Sequence, residues 1–284
     1  MNRRFAIVVM ASLIMGAWLL SSCSPSAMIA KRCYVVPKVT ITPKEKGIDF
    51  DTIMVRNEKR RVLAWLVKAP AQDTNIVVML FNGIGDGVSS WVNVQKLLYD
   101  AGISSLTFNY GDLRDTSLYP DNCTSRFDDV KGDAKQLMTI LKNRLPRHKL
   151  VCLGFSMGCR VLSDSYPDLD TSSICSIVLC SQFSSLRDWI VYHGKFPRWL
   201  QFLIPGGALN NVEGVQRIHK PLLIVHSKDD NVNPVSMADE VYGSANAPKY
   251  YEQLDGFKHN DIFKASVQYW SGIIRFIKEG KLLP

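Results

Sequence analysis

Residues 150–158 read Leu-Val-Cys-Leu-Gly-Phe-Ser-Met-Gly. The first six residues form a short apolar run of the kind found in strands that are buried on both faces of a sheet, and a helical pattern follows from Ser156 to about Tyr166. The junction is a G-x-S-x-G sequence, Gly154 to Gly158. A turn this tight needs small flanking residues, and it lifts the serine hydroxyl out of the sheet. The sequence therefore predicts that Ser156 is a nucleophile at the carboxyl end of a strand.

The rest of the chain alternates between apolar strands and helical patterns, which is typical of a parallel sheet covered by helices on both faces. Three extended segments precede this alternation and are expected to form antiparallel strands: Tyr34–Thr42, Ile48–Val55 and Arg60–Lys68. Further strands are expected at Ile76–Phe81, Ile103–Phe108, Leu150–Phe155, Ile174–Ser181, Pro221–His226 and Tyr250–Leu254. Helices are expected at Val88–Ala101, from a Ser125–Asp128 capping box to Arg144, and at Ser156–Tyr166, Val235–Ala245 and Ile262–Lys278.

A long interval, Ser184–His219, interrupts the alternation. It exceeds the usual loop of about 2–6 residues, and its aromatic residues recur at three- or four-residue spacing, which gives a helix one apolar face. Pro197 is expected to break that face into two short helices. We interpret the interval as a lid over the carboxyl edge of the sheet. Trp189 and Trp199 are predicted to line a substrate pocket beneath it, although such rings can equally serve only to pack the lid.

The strand–Ser156–helix context resembles the α/β-hydrolase family from about Val55 to the C-terminus. In that family an acid and then a histidine follow the serine, each in a loop after a strand. The loop 227–234 resembles the acid loop, and alignment on Val232 and Pro234 selects Asp230 over Asp229. The resemblance likewise places the base at His259, after strand Tyr250–Leu254. It implies a Ser-Asp-His triad and an α/β-hydrolase fold with a short lid insertion.

The resemblance also implies an oxyanion hole of two backbone N–H donors. Met157, directly after the serine, is expected to supply one donor. Ile84, in the glycine-rich loop 82–87, is expected to supply the other, although Asn82 stands where many relatives have histidine. These glycines do not fit the G-x-G-x-x-G pattern because Val88 occupies its last position, so a dinucleotide site is not predicted.

The N-terminus has the layout of a bacterial secretory signal. Arg3 and Arg4 precede an apolar run from Phe5 to Leu20, which is too short for the roughly 20 residues of a membrane-spanning helix. The run ends in Leu-Ser-Ser-Cys at residues 20–23, which resembles a lipobox. We expect a signal peptide at 1–22, a tether at 23–32 that is lipidated on Cys23, and a single domain over 33–284. Whether Cys33 and Cys123 form a disulfide stays open.

The 284-residue chain carries a formal charge of +8, but it has no nucleic-acid-binding motif. No metal cluster or cofactor motif is present in the sequence, and the implied chemistry requires neither. The expected protein is an exported, lipid-anchored serine hydrolase of the bacterial cell envelope, in the outer membrane and facing either the periplasm or the cell surface. It is expected to act on a small-molecule carboxylic ester or thioester. Two alternatives are a serine peptidase or amidase of the same fold and a non-catalytic binding lipoprotein.

Overall fold

The structure, a computed structural model, describes residues 37–56, 61–70, 74–111, 127–195, 197–203 and 209–282. Its strands are β1 Asp51–Arg56, β2 Arg61–Val67, β3 Ile76–Phe81, β4 Ser104–Phe108, β5 Lys149–Phe155, β6 Ile174–Cys180, β7 Leu222–Ser227 and β8 Lys249–Leu254. They form one sheet in the order β1-β2-β4-β3-β5-β6-β7-β8. β2 pairs antiparallel with β1 and with β4, and the remaining neighbours pair parallel. The mostly parallel sheet predicted from the sequence is confirmed.

Helices connect the parallel strands and cover both faces of the sheet. The α-helices are α1 Val92–Asp100, α2 Phe127–Arg144, α3 Met157–Ser165, α4 Leu186–Tyr192, α5 Asn211–Val215, α6 Val235–Ser244 and α7 Val267–Glu279. The core consists of a large cluster on each face of the sheet, and alternate residues of β3 belong to different clusters. Val77 and Met79 pack in one cluster with α2, α3 and α6. Val78 and Leu80 pack in the other cluster with α1 and α7. Burial on both faces explains why this strand is apolar throughout.

The predicted first strand is wrong for its described part, because residues 37–42 form no strand. The Thr40 N–H donates to the Ser89 hydroxyl at 3.2 Å, and that hydroxyl donates to the Ile41 carbonyl at 2.9 Å. A 3-10 helix, Pro43–Lys46, follows and ends in Gly47 at φ 72°. Hydrogen bonds with Ser89, in the 3-10 helix Val88–Trp91 before α1, therefore replace a strand partner.

The predicted final helix starts later than its apolar pattern suggests. Residues His259–Lys264 form a 3-10 helix, and Ala265 follows with φ 52°. The Ser266 side chain then accepts from the Tyr269 N–H and caps α7. A left-handed residue cannot continue a helix, so one apolar pattern is divided between two elements.

The insertion contains short helices, as predicted. α4 ends at Tyr192, a 3-10 helix occupies Arg198–Leu203 after Pro197, and α5 begins at Asn211. The Asn211 side chain donates to the Phe183 carbonyl at 2.8 Å, which ties the end of the insertion to its start. No helix in the described ranges is both long and apolar enough to span a membrane.

Candidate active site

Ser156 occupies the turn between β5 and α3. Its backbone has φ 52° and ψ −117°, a conformation that residues other than glycine seldom adopt. A Cβ at Gly154 would lie 2.8 Å from the Cys159 Cα, and a Cβ at Gly158 would lie 2.1 Å from the Phe81 carbonyl oxygen. Both flanking glycines are therefore required, for the reason that the sequence pattern indicated.

His259 follows β8 and contacts Ser156 at this turn. Its ring is 7% exposed, and Nε2 lies 3.0 Å from Ser156 Oγ. On the other side of the ring, Nδ1 lies 2.8 Å and 3.0 Å from the two Asp230 carboxylate oxygens. Because the carboxylate accepts a hydrogen bond from Nδ1–H, Nε2 is left as the acceptor that faces the serine hydroxyl. The backbone N–H of His259 donates to Asn231 Oδ1 at 3.2 Å, which fixes the ring to the acid loop.

Asp230 is held in its loop by backbone donors. Its Oδ1 accepts from the Val232 N–H at 2.8 Å and from the Asn233 N–H at 2.9 Å. Burial acts to raise the Asp230 pKa, but the hydrogen bond and charge of His259 and the loop N–H groups together hold that pKa below its ordinary value. The carboxylate is therefore ionised and oriented toward the imidazole.

The adjacent Asp229 points elsewhere. Its Oδ2 accepts from the Gly256 N–H at 2.6 Å, and its own N–H donates to the Ser227 hydroxyl at 3.2 Å. Asp229 therefore joins the loop after β7 to the loop after β8, whereas Asp230 contacts the imidazole. The role of Asp230 as the catalytic acid stays a prediction.

A second histidine behind Asp230 was not predicted to belong to the site. His226 is fully buried, and its Nε2 lies 2.9 Å from the Asn233 carbonyl and 3.8 Å from Asp230 Oδ2. Burial lowers the His226 pKa, and a carbonyl can only accept, so Nε2 carries the hydrogen. The Asn233 side chain in turn donates to the Ser181 carbonyl at 2.7 Å. These contacts join β7, the acid loop that follows it and the loop after β6, and the only sequence signal for them was a polar residue that ends a buried strand.

The glycine-rich loop after β3 is anchored at its base. Asn82 is buried, accepts from Trp91 Nε1 at 2.7 Å and donates to the Phe108 carbonyl at 2.5 Å. A Cβ at Gly83 would lie 2.6 Å from Asp86 Oδ2 and 3.0 Å from the Phe155 ring. Asn82, which stands where many α/β hydrolases have histidine, therefore fixes the start of the loop.

The two residues predicted to form the oxyanion hole differ in exposure. Ile84 is 47% exposed in the loop after β3, whereas Met157 is the first residue of α3 and 3% exposed. Their oxyanion roles stay predictions.

Asp86 is a further carboxyl group that interacts with the charge of His259. Burial raises its pKa to about 6, against the opposing effects of a Ser90 hydrogen bond, the charge of His259 and the Gly83 backbone. The Ser90 hydroxyl donates to Asp86 Oδ1 at 3.3 Å. This carboxyl group is therefore electrostatically coupled to the imidazole that contacts Ser156, and no sequence pattern indicated it.

The two predicted pocket tryptophans have different surroundings. Trp189 is half-buried against the core, and its ring centroid lies 4.4 Å from that of His193. His193 Nε2 donates to the Val232 carbonyl at 2.8 Å, which attaches α4 to the acid loop. Trp199 is 76% exposed. The pocket role of both rings stays a prediction.

The other predictions concern the N-terminus and bound groups. Cys23, the signal peptide, the tether, Cys33 and Cys123 lie outside the described residues. In the described part of the chain, Cys152, Cys159, Cys175 and Cys180 are free thiols. The same part holds no group of three or more His, Cys, Asp or Glu residues that could bind a metal ion.

No protein-family model matches the sequence. Lysophosphatidylserine lipase ABHD12 of Danio rerio is 24% identical over 246 residues, which cover 81% of this chain and 62% of that relative. The chain thus spans about three fifths of the length of the lipase. The crystal structure of the Pyrococcus furiosus esterase Pf2001 is similar with a TM-score of 0.65 at 21% identity, covering 86% of this chain and 97% of that one. A soluble variant of the Saccharomyces cerevisiae monoglyceride lipase is similar with a TM-score of 0.62 at 12% identity, covering 88% and 99%. With the observed strand order, these likenesses establish that the chain has the α/β-hydrolase fold.

Proposed function

We propose that this protein is a serine hydrolase that cleaves carboxylic esters or thioesters through an acyl-enzyme. The observation that carries the proposal is the hydrogen-bonded series Ser156–His259–Asp230 at the turn between β5 and α3, with separations of 3.0 Å and 2.8 Å. Each separation is within the range expected of a nucleophile, its base and the group that orients the base. Simple binding of a ligand does not require this arrangement.

In the proposed mechanism, His259 Nε2 removes the Ser156 proton while the serine oxygen attacks the substrate carbonyl carbon. Asp230 stabilises the imidazolium that forms and holds its Nδ1–H tautomer. The imidazolium then protonates the leaving alcohol or thiol, which departs and leaves an acyl group on Ser156. Water, deprotonated by His259, attacks that ester, and the serine leaves with the proton. The backbone N–H groups of Met157 and Ile84 are the proposed donors to the tetrahedral oxyanion, where losing one donor costs about 2.7–4 kcal/mol.

The substrate is proposed to carry an apolar acyl or alcohol portion. The named relatives and structural neighbours include esterases and lipases, and the insertion offers Trp189 and Trp199 as pocket residues. If both rings line the pocket, Trp189→Ala and Trp199→Ala should raise KM for long-chain esters more than for acetyl esters. An equal loss for every acyl length would limit the rings to packing the lid.

The nucleophile is tested with a fluorophosphonate probe. The protein should gain the mass of one adduct, and the Ser156→Ala variant should gain none, because the probe reacts with an activated serine oxygen. An unlabelled wild-type protein would favour the binding lipoprotein. Hydrolysis of aminoacyl amides in preference to esters and thioesters would favour the peptidase or amidase.

We also propose that the protein is exported and anchored to the bacterial envelope through lipid on Cys23. A lipobox-like sequence after a basic, apolar leader supports this. In a Gram-negative host, the protein should incorporate labelled palmitate and the Cys23→Ala variant should not. Equal incorporation in the two proteins would remove the anchor from the proposal.

A further inference from the structure

The insertion presents aromatic rings to solvent. Tyr192 is 58% exposed at the end of α4, and Trp199 and Phe202 are 76% and 69% exposed in the 3-10 helix Arg198–Leu203. Residues three apart in a 3-10 helix lie on the same side, so Trp199 and Phe202 share one face. These three rings, here called the aromatic face, make up half of the six large apolar side chains that are exposed in the described ranges. Isolated exposed apolar residues are normal, whereas a group of them marks a contact surface.

The charged side chains beside the aromatic face are all positive. Lys195 and Arg198 are exposed between its rings. Gly194, at φ 62°, lies just beyond α4, and the Lys195 N–H donates to the Ile190 carbonyl at 3.0 Å, which fixes the backbone of Lys195 to the end of the helix. The sequence from 189 to 212 contains no aspartate or glutamate. The aromatic face is therefore flanked by two cations, and residues 189–212 contribute no carboxylate beside it.

We propose that the aromatic face docks on the surface of a bilayer that contains anionic lipid. Tryptophan and tyrosine rings favour the boundary between headgroups and acyl chains, and lysine and arginine beside them attract anionic headgroups. A second copy of this chain would bring the same two cations to the contact. The apolar leader Phe5–Leu20 would bring Arg3 and Arg4. A second copy and the leader would each bring positive charge to the positive charge beside the aromatic face. An anionic bilayer would bring the opposite charge.

Docking would place lipid beside the candidate active site. The His193 side chain, at the end of α4, donates to the Val232 carbonyl, and the Val232 N–H donates to Asp230 Oδ1 at 2.8 Å. The helix that carries Tyr192 is thus attached directly to the acid loop. The docked face and the triad would therefore lie at the same edge of the molecule.

The test uses the full chain reconstituted in vesicles of phosphatidylcholine, with or without phosphatidylglycerol, whose acyl chains are brominated to quench tryptophan fluorescence. Phosphatidylglycerol should increase the quenching of the wild-type protein, and Trp199→Phe should remove most of that increase. The double variant Lys195→Glu/Arg198→Glu should also lose it, because each cation near an anionic surface contributes about 1 kcal/mol and the docking equilibrium should shift by about tenfold or more. Far-UV circular dichroism checks that each variant is folded.

The matched control is Lys278→Glu/Lys281→Glu, which makes the same change in net charge at exposed residues near the end of α7. It should keep the quenching of the wild-type protein. The proposal would be overturned if Lys195→Glu/Arg198→Glu were quenched as strongly as the control variant. It would also be overturned if phosphatidylglycerol increased the quenching of Trp199→Phe as much as that of the wild-type protein. Self-association that is independent of lipid and is lost in Trp199→Ser would assign the face to a second copy instead. Because quenching does not depend on hydrolysis, this proposal and the proposed function can fail separately.

Discussion

The backbone of Ser156 is strained, and its neighbours impose the strain. A residue held in such a region costs about 1–3 kcal/mol. The Ser156 N–H donates to the Cys180 carbonyl at 2.9 Å, and its carbonyl accepts from the Cys159 N–H at 3.1 Å. The first bond attaches the turn to β6 and the second attaches it to α3. The position of the hydroxyl is thus set by the sheet and the helix, which is what a preorganised nucleophile requires.

The two neighbouring aspartates should differ sharply in their effect on rate. Asp230→Asn should lower kcat by about 10⁴, because the amide favours the wrong imidazole tautomer. Asp229→Asn should leave kcat nearly unchanged and lower the free energy of unfolding by about 1 kcal/mol, because it weakens one hydrogen bond to the Gly256 N–H. Steady-state kinetics with a short ester and thermal unfolding separate the two effects. A larger loss of kcat in Asp229→Asn would transfer the orienting role to that residue.

Asp86 should influence the pH dependence of activity through its coupling to His259. An ionised carboxylate near the imidazole favours the imidazolium, which cannot act as a base. Asp86 carries this charge only above its own pKa of about 6. Asp86→Asn should move the acid limb of the kcat/KM profile to lower pH. Asp100→Asn, which removes the same charge at the end of α1, is the control, and a profile in Asp86→Asn that matches this control would refute the coupling.

At the scale of elements, the sequence pattern predicts those strands and helices whose determining residues are close together in the chain. The buried strands β3 and β5 and the helix after Ser156 were predictable because their apolar runs and flanking glycines lie within one segment. Residues 37–42 were not, because their partner is Ser89, nearly fifty residues away. The contact of His226 with Asn233, and of Asn233 with Ser181, likewise depends on loops that only the folded sheet brings together. Sequence therefore singled out Ser156, Asp230 and His259, which the fold brings into contact, but not the residues that hold the acid loop in place.

The glycine that lets α3 approach β3 should be intolerant of any side chain. In Gly158→Ala the new Cβ would lie 2.1 Å from the Phe81 carbonyl oxygen, which is backbone and cannot rotate away. We expect destabilisation by more than about 3 kcal/mol, as for other severe overpacking. The control is Gly132→Ala in α2, where nothing lies within 4 Å and alanine should stabilise the helix by about 1 kcal/mol. Chemical denaturation measures both, and a mild effect of Gly158→Ala would show that the helix can shift.

For the whole molecule, the last strand packs differently from the central strands. Both core clusters contain residues of β3, β5, β6 and β7, but β8 borders the sheet and only Leu254 of its residues is buried. Helix α7 crosses this strand closely: a Cβ at Gly272 would lie 2.1 Å from the Glu252 carboxylate. In the described part of the chain, Glu252 Oε2 is buried without a hydrogen-bond partner. The fold therefore confines a carboxylate between its last strand and last helix.

Burial raises the pKa of Glu252, and the positive charge of Arg275 opposes this only in part. The folded protein therefore keeps a proton on Glu252 at pH values where the unfolded chain has released it. Stability is accordingly greatest below the ordinary glutamate pKa and falls as the pH rises toward the folded value. Glu252→Gln removes the ionisation but keeps the shape, so it should raise the free energy of unfolding at pH 7 by about 1 kcal/mol, or Tm by about 2–4 °C.

At pH 4, where the glutamate is mostly protonated in both states, the Glu252→Gln variant and the wild-type protein should unfold at nearly the same temperature. Glu279→Gln, an exposed carboxylate at the end of α7, should show no gain at either pH. Thermal unfolding of the three proteins at both pH values gives the comparison. A gain for Glu252→Gln that persists at pH 4 would mean that packing, and not the buried charge, limits the junction of β8 and α7.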